Sequence, residues 1–96
     1  MLFVITAMDK PGSRALRAAT RPAHFDYVRT TGAVKLGGPF LDEAGGMIGS
    51  LLIIEAADLA EAKRWQDDDP YVRAGLFAHA DLRPWKATAN NCNAEI

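Results

Sequence analysis

The segment order β-α-β-β-α-β predicts an α+β domain of ferredoxin-like βαββαβ type, a four-stranded antiparallel sheet with two helices on one face. Three observations carry that prediction. Residues 2–5 (LFVI) and 51–54 (LLII) are apolar at every position, as strands inside a covered sheet are. Capping signals precede the helical segments, at Thr20 and at Asp58 with Glu61 behind it. A chain of 96 residues also holds one core and leaves no room for a second.

Taken in order, residues 2–8 (LFVITAM) are β-branched or apolar almost throughout and read as the first strand. Asp9, Lys10, Pro11 and Gly12 end it with turn chemistry at each position. Residues 13–19 read as a short helical stretch. Thr20 then reads as the N-cap of a second helical segment, with Pro22 tolerated in its first turn. Over residues 21–31, at about 100° per residue, His24, Phe25, Tyr27, Val28 and Thr31 fall on one inward arc, and Asp26, Arg29 and Thr30 lie opposite. Gly32 closes the helix.

Residues 33–41 make a weaker strand. Pro39 has no N–H to give and suits a sheet edge, while Gly37-Gly38 invites close approach of something else. Residues 42–46 (DEAGG) read as a hairpin turn into residues 47–56, the strongest strand. Asp58 starts a helix that runs to about Trp65, and Asp69 before Pro70 caps a second, short one ending at Gly75. Residues 76–85 are the last strand, with Leu76, Ala78, Ala80 and Leu82 alternating against Phe77, His79, Asp81 and Arg83. The domain thus covers residues 1–87, and residues 88–96 are expected to form a loose tail.

Two helices cover only one side of such a sheet. The outward residues of 2–5 and 51–54 would leave an apolar patch larger than monomers tolerate. A second copy of the chain is the simplest cover. The expected assembly is a homodimer packed through the sheet faces, burying on the order of 2,000 Å² or more, with a higher oligomer left open.

Composition excludes several partners. Lys+Arg number 11 against 12 Asp+Glu, a net charge of -1 without the basic stripe of a nucleic-acid binder. The apolar runs are far too short to cross a bilayer, and no signal peptide is visible, so no membrane partner is expected. The single cysteine, Cys92, cannot close an internal disulfide, which fits a reducing, cytoplasmic setting.

Two residues stand out for chemistry. His24 lies near the middle of the inward arc, and histidine is the side chain that exchanges protons near neutral pH. It could equally be a core histidine bonded to a carbonyl. Asp69 is an N-cap, yet a cap carboxylate is held in one rotamer and can also accept Nδ1–H of a histidine, fixing the tautomer. Other signals are discounted. His24, His79 and Cys92 lack metal-ligand spacing, so no metal is expected. The glycine pairs lack the pattern of a phosphate loop, and Gly49-Ser50-Leu51 is no nucleophile elbow. Trp65 and Trp85 read as core anchors, and His79 as facing solvent or the dimer seam.

The chain resembles the YCII-related (YciI-like) family of dimeric α/β-barrel proteins. The resemblance rests on Asp9-Lys10, Arg17, Arg21-Pro22-Ala23-His24, Gly38-Pro39, Gly49-Ser50, Asp69-Pro70-Tyr71 with Gly75, and Arg83-Pro84-Trp85, in order over residues 1 to about 87. It implies the ferredoxin-like fold, a barrel-forming dimer, and a pocket whose His–Asp pair, here His24 and Asp69, is catalytic. Arg17 and Ser50 would line that pocket, and Gly38, Pro39 and Tyr71 would meet the substrate. Lyase- or isomerase-like steps on small, often cyclic acids are implied, with no cofactor. The rival expectations are a non-catalytic binding or accessory protein using the same pocket, and a pure interaction domain using the apolar sheet face.

Overall fold

The structure is a computed structural model that describes all 96 residues. In chain order it has β1 (Leu2–Asp9), α1 (Arg14–Thr31), β2 (Val34–Leu41), β3 (Met47–Glu55), α2 (Leu59–Asp68), α3 (Pro70–Arg73) and β4 (Phe77–Trp85). The strands form one antiparallel sheet in the order β2-β3-β1-β4, the ferredoxin-like arrangement. Pro39 does lie on an edge strand, where its missing N–H breaks no ladder.

Alternation along the central strands divides the apolar runs between two faces. Phe3, Ile5, Leu52 and Ile54 join Ala56 with Ala62 and Trp65 of α2 in the core, against which Tyr27 and Val28 of α1 also pack. The opposite face carries Leu2, Val4 and Thr6 beside Leu51 and Ile53, with Ile53 flanked in register by Val4 and Leu36. Leu36, Met8 and Trp85 continue that apolar surface and are exposed.

The helical expectations need two corrections. A single helix, α1, runs through Thr20 and Pro22; its N-cap is Ser13, not Thr20. Pro22 removes the donor for the Ala18 carbonyl, but both residues are exposed, so solvent can satisfy that carbonyl and the interruption costs little. The inward arc is also narrower than the wheel suggests. His24 is buried and Tyr27 and Val28 half-buried, whereas Phe25 is 60% exposed and Thr31 is exposed at the helix end. Trp85 likewise sits on the open sheet face and is no core anchor, because its partner in register is Leu2, on the face of β1 opposite Phe3 and Ile5. Trp65 is one, its Nε1–H donating to Thr31 Oγ1 at 2.9 Å.

The β2–β3 hairpin is closed by Asp42, whose Oδ1 accepts from the N–H groups of Gly46 (2.8 Å) and Ala44 (3.0 Å). Those donors, the Gly46 N–H foremost, and the Arg14 guanidinium hold the Asp42 carboxyl below its ordinary pKa. A carboxyl that titrates lower when folded stabilises fully above the ordinary carboxylate range and loses that contribution as pH falls through the folded value. Urea midpoints measured against pH should therefore decline less steeply in acid for Asp42→Asn than for the wild type. The effect is modest because the group is exposed. Identical acid limbs would show that the turn carries no such linkage.

Candidate active site

The site forms where α1 crosses the inner face of the sheet beside β2. Arg17, Arg21, His24 and Val28 recur on α1 at helical spacing and so share one stripe. Along β1 the inner-face positions Phe3, Ile5 and Ala7 lead to Asp9, and Ala7 is paired with Ser50 of β3. Arg17 reaches both: its Nε donates to Asp9 Oδ2 at 2.7 Å, and its Nη2 donates to Asp9 Oδ1 at 3.2 Å and Ser50 Oγ at 2.7 Å. The two charged side chains are 5% and 7% exposed, so the pair is desolvated and its geometry held. Because Ser50 accepts from Arg17, its own hydroxyl proton is left to donate.

Asp69 ends α2 and caps α3, its Oδ1 accepting the Tyr71 N–H at 3.0 Å. The same oxygen lies 2.7 Å from His24 Nδ1, with both side chains almost fully buried. An oxygen already accepting from a backbone N–H also accepts from the imidazole, which places the ring proton on Nδ1 and leaves Nε2 as the basic nitrogen. Nε2 has no partner within the chain, yet no buried polar side-chain atom lacks one, so Nε2 opens to solvent. The ring is stacked on Tyr71 with centroids 4.0 Å apart, and the Arg17 guanidinium lies over the Tyr71 ring at 4.7 Å. Tyr71, only 2% exposed, is thus the plate that orients the imidazole and the guanidinium together.

Tyr27 ties α1 to α2, its hydroxyl donating to the Trp65 carbonyl at 2.8 Å. Burial, then the charges of Asp68 and Asp69, push its pKa up to about 12. It stays a protonated donor at neutral pH and cannot serve as a base.

These groups bound a cavity of about 380 Å³. His24, Arg17, Ser50, Gly38, Pro39 and Tyr71 all line it, and Asp69 stands behind His24 without reaching its wall. The glycines divide their roles. A Cβ on Gly37 would come within 2.6 Å of Leu52 Cδ2, so Gly37 permits close strand packing, whereas one on Gly38 would meet nothing within 4 Å and Gly38 leaves the cavity open. Two participants receive no role in the sequence reading, although both stand in stretches that carry the family resemblance. Asp9 is signalled by its inward place at the end of an alternating strand, and Arg21 by its place on the stripe between Arg17 and His24.

The sequence model of the YCII-related domain matches residues 1–86. The chain belongs to the YCII-related family. Its YCII-related relatives include protein YciI of Escherichia coli O6:H1, 38% identical over 95 residues that cover 90% of this chain and 97% of that one. A solved structure similar to it is 5-chloro-2-hydroxyhydroquinone dehydrochlorinase from Burkholderia phenoliruptrix AC1100 in complex with 2,5-dihydroxybenzoquinone. It is 36% identical with a TM-score of 0.82, and the match covers 90% of this chain and 94% of that one. An antibiotic biosynthesis monooxygenase, 16% identical with a TM-score of 0.58 and covering 93% of this chain and 100% of that one, shares the fold alone with this YCII-related chain. No helix is long and apolar enough to cross a membrane.

Proposed function

We propose that the chain is a small-molecule enzyme carrying out a lyase- or isomerase-like proton transfer on a small cyclic or carboxylic substrate, using its own side chains and no cofactor. The observation that carries this reading is the 2.7 Å contact between His24 Nδ1 and Asp69 Oδ1, with Nε2 left open on a cavity of ligand size. In an elimination, Nε2 takes a proton from the substrate while the leaving group departs with its electron pair. In an isomerisation, the same nitrogen returns the proton to a different atom. Asp69 holds the tautomer and stabilises the imidazolium formed in between, and the Ser50 hydroxyl can donate to oxyanion charge. Arg17 lines the cavity, but its charge is already met by Asp9, so its main part is to position Ser50. Gly38, Pro39 and Tyr71 shape the space that the substrate fills. The dehydrochlorinase relative, whose activity is a lyase-type step on a small ring, supports the same class.

The test is to offer chlorinated and unchlorinated hydroxyhydroquinones, following chloride release and deuterium uptake from solvent, with His24→Ala alongside. His24→Ala should lose about 10²–10⁴-fold in turnover. Full turnover in that variant ends the reading. Binding of these compounds with neither chloride release nor deuterium uptake would favour the non-catalytic binding protein instead.

The proposal includes a homodimer through the open sheet face. Its support is the apolar stripe of Leu2, Val4, Leu51 and Ile53 on the central strands opposite the helices, continued by the exposed Met8, Leu36 and Trp85, a face of the kind that a second copy covers. The molar mass in solution should be that of two chains, and Val4→Glu should bring it to one; a wild-type monomer would overturn the dimer. Cys92, exposed and outside any disulfide, supports a cytoplasmic setting.

A further inference from the structure

We infer that Arg21 is the residue that recognises an oxyanion on the ligand, so that this cavity takes planar organic anions, carboxylates or enolates. The inference rests on the proposed reading of the cavity as the ligand site, but not on His24 acting as base. Four arginines of the chain have a carboxylate partner: Arg14 with Asp42, Arg17 with Asp9, Arg29 with Asp26 and Arg73 with Asp68. Arg21, Arg64 and Arg83 have none, and of these three only Arg21 lines the cavity; its one side-chain hydrogen bond runs from Nη2 to the Met47 thioether at 3.2 Å, a weak acceptor. It is half-buried and lines the cavity on the same stripe as His24.

The neighbouring wall is apolar, with Phe25, Val28, Pro39 and Leu52. A partly desolvated cation without a counter-charge is unfavourable there, and an arriving anion relieves that cost. Arg17 cannot play the part, since Asp9 already neutralises it. The guanidinium fork suits the two oxygens of a carboxylate or the adjacent oxygens of an enolate. The exposed Phe25 ring, at the same cavity, offers a face for a flat ligand.

The test is calorimetric titration of wild type, Arg21→Gln and Arg21→Lys with two anions, 2,5-dihydroxybenzoquinone and benzoate, and their neutral counterparts, 2,5-dimethoxybenzoquinone and benzamide. At least one anion should bind the wild type and lose about tenfold or more in Arg21→Gln, the size of a charge-assisted hydrogen bond. Arg21→Lys should keep part of that affinity. The neutral counterpart should bind wild type and Arg21→Gln alike, which also reports that the variant is folded. Which anion shows the loss separates enolate from carboxylate. Equal anion affinity in wild type and Arg21→Gln, or an equal loss for the neutral compound, overturns the role of Arg21 and leaves the turnover test of His24 standing. A wild type that binds none of the four overturns this inference and the cavity reading together.

Discussion

Asp69→Asn should lower turnover by about 10²–10⁴-fold, the range of general acid–base catalysis, while leaving the thermal midpoint within a few degrees of wild type. The two halves of that result come from one oxygen. Asp69 Oδ1 accepts the Tyr71 N–H that starts α3 and also faces His24 Nδ1. Asparagine caps helices as well as aspartate does, so α3 keeps its start. It carries no charge to stabilise an imidazolium, and if its amide turns, the nitrogen donates to Nδ1 and moves the ring proton to Nε2, where the base is needed. Asp69→Ala separates the two roles. It should lose the same activity and in addition about 1 kcal/mol of stability from the missing cap. Were Asp69→Asn to turn over like the wild type, the carboxylate would be a cap and nothing more.

Much of this site was legible in the sequence and part of it was not, because the signals act over different ranges. His24 and Asp69 could be picked out because local patterns constrain them, one by helical periodicity and the other by the Asp-Pro cap. Both sit where those patterns imply. The expectation of a break at Thr20 failed because capping propensity is a local preference worth about 1 kcal/mol, and packing of a continuous α1 stripe against the sheet outweighs it. Pro22 faces solvent in that arrangement, so nothing buried records the fault. The breadth of the inward arc was overread for a related reason: a wheel gives directions, but the groove beside β2 decides how much of Phe25 is covered. The hydrogen bonds that join Asp9, Arg17 and Ser50 in one cluster lay out of reach, although the family resemblance already puts Arg17 and Ser50 at the pocket. The cluster's members come from three elements, and only the register of β1 against β3 brings Ser50 beside the end of β1.

That cluster carries the second large effect, on stability. Arg17→Met should destabilise the fold by about 3–5 kcal/mol, because it leaves the Asp9 carboxylate buried without its partner. The guanidinium supplies three hydrogen bonds, two to Asp9 and one to Ser50, and stands over the Tyr71 ring. In a domain whose total stability is about 5–15 kcal/mol, such a loss should lower the thermal midpoint by roughly 10 °C or more. Arg17→Lys should recover little, since an ammonium cannot reach both Asp9 oxygens and Ser50 in one plane. The decisive variant is the double one, Arg17→Met with Asp9→Leu. A buried pair removed as a unit and replaced by apolar side chains costs far less than one partner removed alone. Double-mutant analysis of urea unfolding should therefore show strong coupling, with the double variant more stable than Arg17→Met by itself. If the two substitutions simply add, the pair is not what holds α1 to the end of β1, and the placement of Ser50 must come from the strand ladder alone.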